Sequence, residues 1–114
     1  MILNKYTVKI SHDALQDMED IYNHIAFVLF SPDNARTQYD RIAAAILKLD
    51  QFPERFPRVY SKLPYLNKLR RMPVDSYSVF YLVDECTVYV TNILYSASDI
   101  ENRLKDLKYQ EKPK

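Results

Sequence analysis

The sequence predicts an α+β fold: an N-terminal strand and an α-helical hairpin packed on a twisted, mainly antiparallel sheet of about four strands, with a short C-terminal helix. The 114 residues suit one compact unit, because two halves would be too small for adequate cores. A helical period dominates residues 14 to 49, and β-branched and aromatic residues dominate residues 77 to 95. Helices that precede a block of strands indicate segregated layers instead of alternating βαβ units.

The first strand and the first helix are predicted between residue 5 and residue 30. Apolar and polar residues alternate from Lys5 to Ile10, which is typical of a half-buried strand. Ser11 suits a helix N-cap, because its hydroxyl can accept a hydrogen bond from a free amide of the first turn. The apolar residues that follow recur at spacings of four and three: Ala14, Met18, Ile21, Ile25 and Val28. This helix is expected to end near Phe30.

The second helix is predicted to begin at Ser31-Pro32. Serine is a capping residue, and proline is tolerated at the first helical position, where its missing amide is not needed. The apolar face of this helix is formed by Ala35, Tyr39, Ile42, Ile46 and Leu49. Pro53 should stop the helix. The short connection favours an antiparallel helical hairpin that presents one apolar edge to a sheet.

The remaining strands are predicted from residue 69 onward. Leu69 to Val74 can form a short strand, and because Pro73 has no amide donor this strand should lie at the edge of the sheet or end early there. Tyr77 to Val83 and Val88 to Tyr95 are the clearest strands. The turn at residues 84 to 86 lacks Asn-Gly or Asp-Gly, so we expect it to be wider than the two-residue type.

The last helix is predicted to begin at Ser98. Ser98 and Glu101 have the spacing of a capping box, in which serine and glutamate satisfy each other's amide donors. Its buried side should consist of Ile100, Leu104 and Leu107. Residues 1 to 108 are expected to form the domain, and residues 109 to 114 a polar tail.

The charge of the chain is unevenly distributed. Residues 1 to 57 contain six Lys/Arg and eight Asp/Glu, whereas residues 58 to 114 contain ten and seven. Between residues 58 and 74 there is no acid, and the basic residues are Arg58, Lys62, Lys68, Arg70 and Arg71. Such a segment can contact phosphates or an acidic protein, or it can be a solvated loop.

Several classes of function are excluded or disfavoured by composition. The absence of glycine excludes the phosphate-binding loops of P-loop and dinucleotide-binding proteins. The single cysteine, Cys86, cannot form an internal disulfide, and the N-terminus has no signal sequence, so we expect a cytoplasmic protein. The longest apolar run, Ile25 to Phe30, is far shorter than the roughly 20 residues that cross a bilayer. No metal-ligand spacing is present, and no cofactor or small-molecule substrate is predicted.

The order of elements and several local motifs resemble the RelE/ParE family of toxins. The similarity covers residues 5 to 105. The matching segments are Tyr6 to Ser11, Asp17 to Tyr22, Pro32 with Ala35, Leu49 to Pro53, Arg71 to Val74, Tyr77 to Asp84, and Val90 to Tyr95 with Asp99-Ile100. Each motif alone is weak, but their order and spacing together are specific.

The resemblance implies the toxin of a type II toxin–antitoxin, or plasmid stabilisation, module. A cognate antitoxin would neutralise it by lying across the toxin, and DNA would be contacted only through the antitoxin. The family has two modes of action: ribosome-dependent mRNA cleavage in the RelE-like branch and poisoning of DNA gyrase in the ParE-like branch.

The residues needed for RNA cleavage are incomplete. Where the cleaving relatives carry a central-strand arginine, this chain has Ser78, and a hydroxyl cannot replace a guanidinium that binds phosphate in two places. Where the relatives often carry histidine, it has Tyr95, which is a weaker acid at neutral pH. If the chain nevertheless cuts RNA, the candidate residues are Arg70, Arg71 and Tyr95, with Tyr81 stacking on a base. The alternative for both tyrosines is packing within the sheet.

Together with the incomplete set of cleavage residues, the resemblance implies a growth-inhibiting toxin that poisons a protein such as DNA gyrase. A RelE-type endoribonuclease and an inactive antitoxin-binding module remain the alternatives. We expect the antitoxin to lie beside the strand from Arg70 to Val74 and the last helix, partly by strand addition. The residues predicted to contact antitoxin or target are basic: Arg58, Lys62, Lys68, Arg70, Arg71 and Arg103.

Overall fold

The computed structural model describes residues 5 to 105, which form a four-stranded sheet with three helices. The elements in chain order are β1 (Thr7–Ile10), α1 (His12–Asn23), α2 (Pro32–Leu47), β2 (Arg70–Val74), β3 (Tyr77–Asp84), β4 (Thr87–Tyr95) and α3 (Ile100–Lys105). A single π-helical turn, His24–Val28, extends α1. The predicted tail at residues 109 to 114 and the predicted buried residue Leu107 lie outside the described residues.

The strand order in the sheet is β1-β4-β3-β2, so β1 and β2 are the two edges. The pairs β2–β3 and β3–β4 are antiparallel, whereas β1 runs parallel to β4. A parallel neighbour needs a long crossover connection, and the helical hairpin with the strands that follow it provides this. The sheet is therefore mixed and mainly antiparallel, which confirms the predicted α+β class and the edge position of β2.

The helical hairpin packs on one face of the sheet. The buried residues of this core include Ala14 and Met18 from α1 and Ile42 and Ile46 from α2. The predicted apolar faces of both helices are confirmed except at Val28, of which 59% is exposed, and Tyr39, of which 38% is exposed. Val28 is displaced because the π-turn inserts one residue and rotates the end of α1 away from the sheet.

The opposite face of the sheet is covered by residues 57 to 69 and by α3. Its core is formed by Leu66, Leu69, Phe80, Leu94 and Leu104. A bulge in β4 shifts the alternation of its side chains by one residue, so that Ile93 lies in the same core as Val88 and Val90. Phe80 pairs with Asn92 and Tyr81 pairs with Val90, so Thr91 is an extra residue without a partner in β3. The side chains that follow it therefore point to the opposite face from the one they would occupy in a regular strand.

Of two predicted helix starts, the one at Ser31-Pro32 is confirmed without the expected side-chain bond, and the one at Ser98 is wrong. The Ser31 hydroxyl makes no cap bond to the α2 backbone and instead accepts a hydrogen bond from Asn34 Nδ2 at 2.7 Å, although Pro32 does begin the helix. The last helix begins at Ile100, because Asp99 accepts from the Asn102 amide at 3.4 Å. Ser98 turns away and donates to the Tyr95 carbonyl at 2.6 Å. Serine and aspartate both suit a cap, and here the hydrogen bond of Ser98 to a carbonyl three residues earlier leaves the cap to Asp99.

The turn between β3 and β4 is also tighter than predicted. Asp84 pairs with Thr87, which leaves a two-residue turn of Glu85 and Cys86. Glu85 takes a positive φ of 55°, the conformation that such turns usually assign to glycine. The glycine-free chain places Phe30, Phe52 and Asp75 in the same region. Each such residue costs about 1 to 2 kcal/mol, which the surrounding packing must offset.

Candidate functional site

The basic segment forms one wall of a groove on the sheet face opposite the hairpin. Residues 57 to 59 lie along β2, because the Val59 amide donates to the Leu69 carbonyl at 2.8 Å and the Arg71 amide donates to the Pro57 carbonyl at 3.0 Å. Helix α3 forms the other wall. The groove between them, the loop–helix groove, has a volume of about 360 Å³. It is lined by Pro57, Arg58, Val59, Tyr60, Ser61, Leu66, Arg71, Ile100, Glu101 and Leu104.

This arrangement limits strand addition at the β2 edge. The Arg71 amide, which faces outward, is already bonded to Pro57. The next outward-facing residue of the strand is Pro73, which has no amide to donate. The β2 edge between these positions therefore offers carbonyl groups alone, and an added strand could not form the usual reciprocal ladder there. The predicted strand addition beside Arg70 to Val74 is for this reason a weaker basis for binding than the groove itself.

The predicted basic residues fall into three environments: four are exposed, Arg70 contacts the preceding loop, and Arg71 contacts the sheet. Arg58, Lys62 and Lys68 are exposed on the segment between α2 and β2, and Arg103 is exposed on α3. Arg70 donates from Nη1 to the carbonyl oxygens of Glu54 at 3.2 Å and Phe56 at 2.7 Å, so its guanidinium positions the loop. The structure brings together only Arg58 and Arg71 at the loop–helix groove, since Arg103 lines a different groove.

Arg71 is held over the sheet by two contacts. Its Nε donates to the Ser78 hydroxyl at 2.9 Å, and its guanidinium lies 5.8 Å from the centre of the Phe80 ring. Ser78 is fully buried, and its hydroxyl is 2.7 Å from that of Ser96. Two hydroxyls and one guanidinium can bind an anion, but this cluster contains no group that titrates near neutral pH. It therefore has no general base for a 2′-hydroxyl.

The two candidate tyrosines have different surroundings. Tyr81 is fully buried, and its hydroxyl donates to the Pro53 carbonyl at 2.5 Å, while burial raises the pKa of Tyr81 to about 12. It cannot stack on a base, so that hypothesis is wrong, and it packs within the sheet as in the alternative. Tyr95 is 51% exposed and packs edge-on against Tyr77, with ring centres 5.8 Å apart. Burial raises the pKa of Tyr77 above its ordinary value, and Tyr95 adds to the effect.

A second, larger groove lies between α1 and the ends of β3 and β4. This helix–strand groove has a volume of about 710 Å³. It is lined by Asp17, Asp20, Ile21, His24, Leu29, Tyr77, Ile93, Leu94, Tyr95 and Arg103. The sequence indicated neither the groove nor its residues, apart from Tyr95 and Arg103, because its walls come from four separate parts of the chain.

Asp17 is the most constrained carboxylate of the helix–strand groove. Its Oδ2 accepts hydrogen bonds from the Ile93 amide at 2.9 Å and from Asn92 Nδ2 at 3.3 Å. The Ile93 amide follows the Thr91 bulge, where the regular ladder is interrupted. Burial raises the pKa of Asp17 above its ordinary value despite these two hydrogen bonds, which lower it. Asp17 therefore attaches α1 to β4, a structural role that helical periodicity could not reveal.

Residues 5 to 105 contain no cluster of His, Cys, Asp and Glu that could hold a metal ion. Within the same residues, no helix is long and apolar enough to cross a membrane.

Solved structures of similar architecture include chains from two toxin–antitoxin systems and a conserved hypothetical protein. A chain from the chromosomal ParDE system of Pseudomonas aeruginosa is 20% identical and superposes with a TM-score of 0.67, over 81% of this chain and 97% of that one. A chain of the RelBE2 toxin–antitoxin complex of Mycobacterium tuberculosis is 17% identical, with a TM-score of 0.58 over 86% and 98%. A conserved hypothetical protein of Helicobacter pylori is 12% identical, with a TM-score of 0.53 over 82% and 97%. No curated protein sequence matches the chain.

The fold is thus that of the RelE/ParE-like toxins, as the sequence predicted. Residues 8 to 100 match the model of the ParE toxin of type II toxin–antitoxin systems. Since this match spans most of the sequence, the chain belongs to the ParE toxin family.

Proposed function

We propose that this toxin acts by binding a protein target and that a cognate antitoxin neutralises it through the loop–helix groove. The observation that carries the first part is the cluster around Ser78, which combines an arginine with two hydroxyls but has no general base. Removing one preorganised group from a catalytic site typically costs about 10² to 10³ in rate, so a ribonuclease with this cluster would need substitutes. DNA gyrase is the target we favour, on the basis of membership in the ParE family.

The proposed antitoxin contact combines charge with apolar surface. Arg58 and Arg71 lie at the groove, and Leu66, Ile100 and Leu104 provide apolar walls. An amphipathic segment that carries acidic residues would match both features. The ParDE and RelBE2 structures, which share this fold, come from systems in which a toxin is paired with an antitoxin.

Two assays test the mode of action. Purified protein should inhibit supercoiling by DNA gyrase in a dose-dependent manner, and mRNA recovered after induction should show no codon-positioned cuts by primer extension. Cuts that disappear in Arg71→Ala and Tyr95→Phe variants, with gyrase unaffected, would contradict the proposal and support the RelE-type alternative. Absence of growth arrest on induction without antitoxin would indicate an inactive binding module.

A charge-reversal experiment tests the antitoxin site. Arg58→Glu should weaken binding of the product of the adjacent small gene by about three- to tenfold at 0.1 M salt, because a rim charge acts mainly through long-range attraction. Lys9→Glu is a matched control, since Lys9 is exposed on β1 at the opposite edge of the sheet. Equal affinities of the two variants would place the antitoxin elsewhere.

A further inference from the structure

The connection between α1 and α2 exposes four consecutive large apolar residues. The exposed fractions of Phe27, Val28, Leu29 and Phe30 are 69%, 59%, 57% and 84%. The π-turn and the positive φ of Phe30 direct these side chains outward from the hairpin. Soluble proteins rarely leave a contiguous apolar patch uncovered unless it binds something. We name residues 27 to 30 the hairpin tip.

The surface around the hairpin tip is acidic. Residues 11 to 36 contain one basic residue, Arg36, against five acids, Asp13, Asp17, Glu19, Asp20 and Asp33. Arg103 of α3 also lines the groove that contains Leu29, so the surroundings are acidic on balance. The loop–helix groove has the opposite character, because Arg58 and Arg71 line it together with one acid, Glu101. One chain therefore carries an apolar projection in an acidic setting and an apolar depression in a basic setting.

The dimensions and composition of the groove suit an aromatic side chain. Its volume of about 360 Å³ lies at the lower end of the range of about 300 to 1,000 Å³ that is typical of binding pockets. Val59, Leu66 and Leu104 form apolar walls. At its rim, Tyr60 is 97% exposed in the isolated chain, so its ring is available to cover an inserted group.

We propose that the hairpin tip of one copy inserts into the loop–helix groove of a second copy. The charges of the two surfaces are complementary, which favours this occupant over a tip-to-tip contact that would bring acidic surfaces together. The tip does not lie at the groove of its own chain, because Leu29 lines the helix–strand groove and none of residues 27 to 30 lines the loop–helix groove. The contact thus joins two different surfaces and is head-to-tail.

A head-to-tail contact leaves one free tip and one free groove at the ends of each assembly. Self-association should therefore continue beyond a dimer unless the rotation between copies closes a ring. Antitoxin bound in the groove would dissociate the assembly. That consequence rests on the proposed antitoxin site, whereas the self-association itself does not.

The experiment measures mass by sedimentation equilibrium between about 1 μM and 1 mM. The weight-average mass of the antitoxin-free protein should rise with concentration beyond that of a monomer. Raising the salt from 0.1 M to 1 M shortens the screening length from about 10 Å to about 3 Å, and should weaken association about tenfold. A protein that stays monomeric throughout the concentration range at 0.1 M salt would overturn the proposal.

Complementary variants test the head-to-tail geometry. The tip variant Phe27→Ser/Phe30→Ser and the groove variant Arg58→Glu/Tyr60→Ser should each be monomeric alone. Their mixture should form a 1:1 dimer, because the intact tip of the groove variant can insert into the intact groove of the tip variant. The dimer should grow no further, because only the altered tip and the altered groove are left free. Phe52→Ser is a matched control, since Phe52 is 78% exposed outside both surfaces, and it should associate like the unmodified protein.

The alternative outcomes distinguish the possible errors. A mixture that stays monomeric, or a tip variant that associates normally, would contradict the proposal. The altered side chains are exposed, so circular dichroism should show unchanged folding. If the tip variant nevertheless unfolds, association by Arg58→Glu/Tyr60→Ser equal to that of the unmodified protein would overturn the proposal. Self-association that persists in the presence of bound antitoxin would contradict only the proposed antitoxin site.

Discussion

The attachment of α1 to β4 through Asp17 leads to a quantitative prediction. In an Asp17→Ala variant the Ile93 amide loses its acceptor at 2.9 Å and the Asn92 amide group loses its contact at 3.3 Å. A half-buried donor without a partner costs about 1 to 3 kcal/mol. The variant offsets part of this cost, because it no longer has to desolvate a carboxylate on folding. We expect the variant to lose about 2 kcal/mol of unfolding free energy. For a domain of this size that corresponds to a melting temperature lower by roughly 8 °C.

The assay is urea unfolding, compared with Glu19→Ala as a control. Glu19 is an exposed acid in the same helix, so the control also loses one negative charge. Its gain in helix propensity is smaller than that of Asp17→Ala, which works against the expected difference. Asp17→Asn should cost less than Asp17→Ala, because its amide oxygen can still accept from Ile93. Asp17→Ala with the same midpoint as Glu19→Ala would refute the assigned role.

The pH dependence of the same variants gives an independent check. The folded-state pKa of Asp17 is raised above its ordinary value of 3.8, chiefly by burial. The folded protein therefore binds a proton more tightly than the unfolded chain, and this contribution to stability is complete below pH 3.8. It decreases as the pH rises through the raised pKa. The stability of the unmodified protein relative to Asp17→Asn should fall across that interval, and a rise would contradict the shift.

The other predictions concern the sheet, a turn and α3. Tyr81→Phe removes the hydrogen bond to the Pro53 carbonyl and should cost about 1 kcal/mol in urea unfolding, while growth arrest stays unchanged; loss of toxicity in the folded variant would contradict a purely structural tyrosine. Asp75→Asn breaks the bidentate pair with Arg41, whose Nε and Nη2 donate at 2.7 and 2.9 Å. Because the Arg41 hydrogen bonds lower the pKa of Asp75, the variant should melt below the unmodified protein at pH 7, with the difference vanishing as the pH falls through that lowered pKa. Leu104→Ala empties a fully buried position and should increase amide hydrogen exchange in α3, with about 2 to 5 kcal/mol lost if the whole domain senses the cavity; unchanged exchange would show that α3 is anchored otherwise.

The order and type of the elements were predictable because burial follows the backbone period. Ala14 and Met18 are spaced as one side of a helix must be, and both are buried in the structure. Pro73 likewise indicated an edge strand, since a missing amide excludes the middle of a sheet. Helix starts were less predictable, because Ser98 and Asp99 are both suitable caps and the Tyr95 carbonyl decides between them.

The candidate site was predictable only in part. The basic segment is visible in the sequence, but the separate environments of its arginines are not. Arg70 bonds to backbone carbonyls of the preceding loop, whereas Arg71 reaches Ser78, and adjacent residues of a strand point to opposite faces. The burial of Tyr81, which excludes the predicted stacking on a base, likewise involves a distant partner. Its hydroxyl donates to the Pro53 carbonyl, which is 28 residues away in the chain.

By itself the sequence determined the ParE-like fold class, the apolar faces of the two helices and the opposite charges of the hairpin and the basic segment. These properties depend on residue type and local spacing, which a linear chain displays directly. Tertiary structure alone decided the Thr91 bulge that presents the Ile93 amide to Asp17, and the two grooves on either side of α3. Those features arise where distant segments meet, so the position of each polar group depends on neighbours that no local pattern specifies.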